Sequence, residues 1–249
     1  ALYAGARQGG YASWALCACD VLLREVREFA HSPNAARAAF RRDGGSVARS
    51  SALIGEADFY PQQEAAILAR HPRRVVDLGA GSATLMIRCL RARGELTAVA
   101  LDASADACRS GREAAEVAGV AGRLDVETAP IESLLRDARP LRDAEVIHAG
   151  FALHDLAAKD DGMLDAVLRS CGEAAPQARL LLTEAVPYAV EPAERTFSAA
   201  FSLFHEFMGV TLASEEEWLA RLQRAGFETL SVSRLSMPGA RLFEARFCS

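Results

Sequence analysis

The chain has 249 residues, 51% hydrophobic and 24% charged, enough for one substantial core with a smaller helical appendage. Its net charge of −5 and pI near 5.6 come with Lys and Arg spread along the sequence, which provides no footprint for nucleic acid and points to small molecules or further copies of the chain as partners. No apolar run approaches the roughly eighteen residues of a membrane span, and the six cysteines form no CxxC pair, as expected of a reduced, cytoplasmic protein.

The start ALYAGARQGG lacks the charged region and long apolar core of a secretion signal, and because the first methionine is Met86 the natural chain is expected to begin upstream of Ala1. From Tyr11 to Ala30 apolar residues recur at helical spacing (Trp14, Cys17, Ala18, Val21, Leu22, Val26, Phe29). HSPNAARAAFRR then starts a second helix with Ser32 or Asn34 as cap. RDGGSVARSS reads as a polar, Gly-rich connection, and YPQQEAAILARHP as a helix with Pro61 in its first turn. Near Arg73 the rhythm changes. RRVVDLG, ELTAVALD, GRLDVETA, AEVIHAG and ARLLLTEA are short apolar runs separated by amphipathic stretches such as ATLMIRCLRAR and ADACRSGREAAEVAG. Continuously apolar strands suit a parallel sheet covered on both faces, so this region predicts a doubly wound α/β domain with a mostly parallel sheet. SEEEWLARLQRAGF predicts a further helix, and ETLSVSRLS with ARLFEARFC an antiparallel C-terminal strand pair.

The first strand ends in VVDLGAGSATL. Gly79 and Gly81 let the backbone turn sharply and approach a ligand, with amide donors of the following helix facing it. Asp77 stands two residues before Gly79, and Asp102 ends the next strand, where an acid accepts hydrogen bonds from both ribose hydroxyls of an adenosine cofactor. A dinucleotide fingerprint wants a third small residue, but Thr84 occupies that position. Asp77 suits a cationic methionine group better than a pyrophosphate, so S-adenosylmethionine fits best.

Through VVDLGAGSATL, AVALDAS, VIHAGFALHDL, ARLLLTEAVP and EEWLARLQRAGF, in that order, the sequence resembles the class I S-adenosylmethionine-dependent methyltransferases over roughly Pro61 to Ser249. The resemblance implies a Rossmann-like methyltransferase fold. It implies an S-adenosylmethionine-binding catalytic domain over 61–249, and the helical stretch before it is expected to form an N-terminal cap or dimerisation region over residues 1–60, which suggests a homodimer. It puts Gly79, Ala80 and Gly81 around the methionine part of the cofactor beside Asp77, and Asp102 on the ribose, with Ala103, Gly150 and Phe151 also assigned to the cofactor. Where many members place an acid near the adenine, ETAPIESL offers Ala129, Pro130 and Ile131, with backbone and apolar contact only.

Of the five histidines, His31 and His71 lie at helix boundaries in polar context, and His148 inside the fourth strand reads as a hydrogen-bonded core residue. His154 leaves the fourth strand at its carboxyl edge, where ligands of open α/β sheets sit. LHDL and the segment after it are similar to the small-molecule O-methyltransferases related to the plant phenolic and hydroxyindole enzymes. In these the matching histidine is a general base, work that suits an imidazole titrating near neutrality.

His205 lies in the apolar stretch ERTFSAAFSLFHEFMGV, where the plain reading is a core histidine donating to a carbonyl. Two histidines from separate elements, with the carboxylate of Asp155 beside one, suit divalent iron or zinc and leave positions for a bidentate 2-oxo acid. The arrangement resembles the metal-dependent 2-oxo acid C-methyltransferases of antibiotic and phytotoxin pathways, the phenylpyruvate and 2-ketoarginine type. That resemblance implies His154 and His205 as metal ligands. Asp155 is read as orienting His154, holding a metal-bound water or capping the next helix.

A substrate carboxylate also wants an arginine, available at Arg37, Arg41, Arg42 or Arg49. Arg42 and, as an aromatic wall, Trp14 are assigned to the substrate. Phe197, Phe201, Phe204 and Phe207 read as core or as the lining of an apolar substrate pocket. Three activities stay open: metal-assisted C-methylation, metal-free O-methylation with His154 as base, and a non-catalytic cofactor-binding scaffold.

Overall fold

The computed structural model describes residues 2–40, 42–157, 161–187 and 201–248. Five apolar runs form the parallel strands β1 (Arg74–Leu78), β2 (Thr97–Asp102), β3 (Leu124–Thr128), β4 (Val146–Gly150) and β5 (Arg179–Ala185). The antiparallel pair β6 (Phe227–Arg234) and β7 (Ala240–Phe247) completes a seven-stranded sheet of order β3-β2-β1-β4-β5-β7-β6. The order reverses between β1 and β4, so loops leaving the carboxyl ends of these strands diverge and open a crevice there.

Alternate residues of the strands feed two cores. Val76, Leu78, Ile147, Leu180 and Leu182 face α10 (Asp161–Ala174) and α12 (Glu215–Arg224), where Trp218 is 1% exposed. Val75, Ala98, Ala100, Val146 and Leu181 face α6 (Tyr60–Leu68), α7 (Thr84–Ala92) and α8 (Ala105–Val117). Burial on both sides explains why the strands read as unbroken apolar runs. Ser214 starts α12 with a reciprocal cap, its hydroxyl accepting from Glu217 N–H while the Glu217 carboxylate accepts from Ser214 N–H. No helix among the described residues is long and apolar enough to cross a membrane.

The N-terminal helices depart from the expected pattern in two places. The helix expected over Tyr11–Ala30 is broken: α1 (Leu2–Ser13) runs into a π turn at Trp14–Ala18, followed by α2 (Asp20–Arg24) and α3 (Val26–His31). Cys19 and Glu25 sit outside the helical region, and the bends let Leu22 and Phe29 wrap around Ala36 of α4 (Pro33–Ala39) and Phe204. Ser32 stands at the cap of α4 without a side-chain bond, and Pro33 opens the helix.

The connection expected over RDGGSVARSS is the first half of a 15-residue helix, α5 (Gly44–Asp58). Asp43 Oδ1 accepts from Ser46 N–H at 2.6 Å as N-cap. The two glycines fall in the first turn, where they disturb little. Val47, Ser51 and Ile54, spaced i, i+4, i+7, turn one face to the crevice. Together with α6 and α11 (residues 201–208), this helix covers the carboxyl edge of the sheet.

Candidate active site

The crevice encloses about 870 Å³, enough for a nucleoside cofactor and a small substrate together. Its floor is the loop between β1 and α7. Gly79 (φ 71°), Gly81 (φ 56°) and Ala83 (φ 55°) alternate in the left-handed region and fold the loop flat. A Cβ on Gly79 would lie 2.4 Å from Ala152 Cβ, so only glycine fits between the loop and the segment leaving β4. The loop amides are already engaged: Gly79 and Ala80 N–H donate to Leu101 O, and Gly81 N–H to Asp102 Oδ2 at 2.8 Å. Asp102 Oδ1 accepts from Ser104 N–H at 2.8 Å, so this carboxylate ties both loops together while lining the crevice.

Among the residues assigned to the cofactor, Asp77, Gly79, Ala80, Gly81, Asp102, Ala103, Pro130, Ile131, Gly150 and Phe151 are brought together on the crevice wall. Ala129 is not: its N–H donates to Asp102 O and its side chain packs toward the core, while Glu132 takes a place beside Ile131. Asp77 is 3% exposed and shares a 2.7 Å hydrogen bond with His148 Nδ1. Phe151 holds a φ of 54° at the end of β4, with its N–H on Thr183 O and its ring edge-on to Phe59.

Also on the crevice wall, His154, on α9 (Leu153–Ala157), meets His205 of α11. Their Nε2 atoms lie 3.2 Å apart, and both residues are at most 3% exposed. His154 Nδ1 lies 2.6 Å from Glu184 Oε2, and the Glu184 carboxylate also accepts from Leu153 and His154 N–H. His205 Nδ1 lies 2.7 Å from Phe201 O, a carbonyl that only accepts. Each Nδ1 therefore carries a ring proton, and the two Nε2 atoms can share either a further proton, with His154 as an imidazolium donating to His205, or a metal ion.

Burial opposes charge on His154, but the charges of Glu184 and Asp155 and the Glu184 hydrogen bond outweigh it and raise its pKa. Burial, then the His154 charge, pushes His205 down to about 3. Asp155 Oδ1 lies 3.6 Å from His154 Nε2, and Oδ2 accepts from Arg42 Nη2 at 2.9 Å. Against the cost of burial, His154 and Arg42 hold this carboxyl below its ordinary range.

His154, Asp155 and His205 each offer a ligand atom within 4.8 Å of one another. At metal–nitrogen distances of about 2.1 Å, neighbouring ligands on an octahedral or tetrahedral ion lie roughly 3.0–3.4 Å apart, a range that brackets the Nε2 separation. Two imidazoles and one carboxylate form the donor set of non-haem iron sites with open positions, and the residues fit such an ion.

Trp14 lines the crevice and stacks on Phe201 at 5.4 Å and on His205 at 6.3 Å, and Arg42 lines it through Asp155. Phe201 and Phe204 also line it, whereas Phe207 packs on Phe29; Phe197 and Arg41 lie outside the described residues. Arg37 is drawn away to Phe207 O and Glu206 O, and Arg49 to Ser46 and Asp43. The sequence reading missed Glu184, Gln63 and Tyr60. Glu184 had a signal, a lone carboxylate in an otherwise apolar strand.

No protein-family model matches the sequence, and no curated protein matches it. Solved structures do resemble the fold. The mitomycin 7-O-methyltransferase MmcR is 21% identical, over 81% of this chain and 57% of its own, with a TM-score of 0.63. NcsB1, an O-methyltransferase of neocarzinostatin biosynthesis solved with S-adenosylmethionine and 2-hydroxy-5-methyl naphthoic acid, is 20% identical over 98% of this chain and 70% of its own (TM-score 0.66). The pyocyanin biosynthetic protein PhzM is 23% identical over 96% and 69% (TM-score 0.66). The chain spans less than two thirds of the length of MmcR. What it shares with all three, at this identity, is the fold.

Proposed function

We propose that this chain is the catalytic part of an S-adenosylmethionine-dependent small-molecule methyltransferase that methylates the carbon beside the keto group of a 2-oxo acid. The observation that supports the metal-assisted reading is the convergence of the His154 and His205 Nε2 atoms, 3.2 Å apart, with the Asp155 carboxylate beside them. The cofactor reading is supported by the glycine loop with its acids and by the cofactor present in the NcsB1 structure.

In this reading His154, Asp155 and His205 hold a divalent iron or zinc ion. When bound, the ion supplies a Lewis acid that acidifies a C–H bond next to a chelated keto group. Glu184 keeps the proton of His154 on Nδ1, leaving Nε2 free to ligate. Arg42 fixes the Asp155 carboxylate and offers its remaining guanidinium donors to a substrate carboxylate. Trp14, Phe201 and Phe204 wall the centre with apolar surface and exclude water from the transfer. The glycine loop, with Asp77 and Asp102, would hold the methyl donor, which would supply the methyl group to the same crevice.

Elemental analysis of purified protein tests this: about one transition metal ion per chain is expected, lost in His205→Ala together with turnover. Full turnover after rigorous chelation, with no metal detected, overturns it. The His154–Glu184 pair favours one second reading, metal-free O-methylation with His154 as general base. In that case His154→Ala abolishes turnover, His205→Ala leaves most of it, and chelation has no effect.

A further inference from the structure

One buried group in the crevice has no part in that chemistry. His148 on β4 stands in register with Asp77 on β1, and the Nδ1 of its ring lies 2.7 Å from Asp77 Oδ1. Both side chains are at most 4% exposed. With the Nδ1 proton donated to the carboxylate, Nε2 of the neutral ring carries a lone pair; it is buried, it has no hydrogen-bond partner, and the residue lines the crevice.

Beside it Gln63 of α6, 1% exposed, donates from Nε2 to Thr183 Oγ1 at 2.9 Å and leaves Oε1 equally unpartnered. The two side chains flank one point: a Cβ on Gly150 would lie 3.0 Å from His148 Cε1 and 3.1 Å from Gln63 Nε2. A buried acceptor without a donor carries the full cost of its lost hydration. Two such acceptors on side chains that both approach Gly150 and both line the crevice, with the Asp77 carboxylate bonded to one of them, suit a donor-rich cation. Asp77 lies two residues before Gly79, so these residues adjoin the cofactor loop, and none of them belongs to the His154–Asp155–His205 group.

We propose that Asp77, His148 and Gln63 form the seat of the ammonium group of the methyl donor, with His148 Nε2 and Gln63 Oε1 accepting its N–H bonds. The assignment rests on the S-adenosylmethionine reading and makes His148 a cofactor-binding residue rather than a core histidine.

Calorimetric titration with three nucleosides tests it: S-adenosylhomocysteine, its decarboxylated analogue that keeps the amine, and 5′-methylthioadenosine, which lacks the amino-acid end. His148→Leu is expected to weaken the first two by about 10- to 100-fold, the range of one hydrogen bond to a charged group, and to leave 5′-methylthioadenosine within about twofold. Equal losses for all three, or none, overturn the proposal. A loss confined to S-adenosylhomocysteine overturns the choice of the ammonium over the carboxylate. Wild-type protein that binds none of the three overturns the cofactor reading and this assignment with it. If His148→Leu does not fold, Gln63→Met removes the other acceptor and is read by the same three titrations.

Discussion

Replacing Glu184 by glutamine exchanges one buried oxygen for an NH2 group, and the surrounding hydrogen bonds dictate where that group goes. Glu184 Oε1 accepts from Leu153 N–H at 2.9 Å and His154 N–H at 3.2 Å, and Oε2 faces His154 Nδ1 at 2.6 Å. Both backbone groups are donors, so the single oxygen of the new side-chain amide stays with them and its NH2 faces Nδ1. Nδ1 must then accept, and the ring proton moves to Nε2, where it donates to His205 Nε2 across the 3.2 Å gap. The variant satisfies every one of these polar groups and folds, yet the Nε2 lone pair that the proposed metal site uses is blocked.

A charge-assisted bond worth about 1.5–3 kcal/mol is replaced by a neutral one of about 1 kcal/mol, so the fold loses roughly 0.5–2 kcal/mol. That lowers Tm by about 2–4 °C for each kcal/mol. Metal affinity falls by at least the 10- to 100-fold typical of losing a group that orients a ligand, about 1.4–2.7 kcal/mol. Titration against a competing chelator measures the affinity, and nitrogen chemical shifts of the imidazole report the tautomer. A Glu184→Gln protein that keeps its proton on Nδ1 and its wild-type metal affinity refutes the reasoning.

Three other perturbations have defined outcomes. Gly79→Ala forces a Cβ to 2.4 Å from Ala152 Cβ at a φ of 71°. The left-handed backbone costs about 1–2 kcal/mol and the overpacking about 1–3. The urea midpoint should therefore fall by the equivalent of roughly 2–5 kcal/mol with an unchanged slope, and an unmoved midpoint counts against the loop geometry. Arg37 donates to Glu206 O and Phe207 O at the end of α11, the helix that carries His205. Arg37→Met should speed metal loss on dialysis while leaving nucleoside affinity intact; equal metal retention contradicts this. Among the cysteines, Cys17 and Cys248 are exposed, whereas burial pushes Cys19 up to about 11 and Cys89 and Cys171 up to about 12. Ellman's reagent should titrate two thiols in native protein at about pH 8 and all six in denaturant.

The parts of the site legible from residues alone were those whose signal is local. VVDLGAGSATL announces a strand, a turn that only glycine permits and a helix, and its positive φ angles at Gly79 and Gly81 are those such a turn needs. α5 was illegible because Gly44, Gly45, Ser46, Ser50 and Ser51 look like a connection. Its helicity rests on the Asp43 cap and on an apolar face that acquires a partner only when the crevice forms beneath it. His148 looked like a core residue because nothing within its own strand reveals the acid beside it. Glu184 was overlooked although a charge inside LLLTEA demands a partner.

The order and type of the strands, the cofactor loop and the place of His154 at a strand end are properties of the sequence by itself, because hydrophobic period and turn chemistry act over a few residues. The chemistry at those places was decided by contacts between distant segments. Asp77 reaches His148 across 71 positions, His154 reaches His205 across 51, and Arg42 reaches Asp155 across 113. These meetings follow from the register of β1 on β4 and from α11 closing over the sheet edge. Pairing and packing of that kind are set by the energy of the whole core, and they bring each histidine to the partners that its proposed role as ligand, base or receptor for a cation requires.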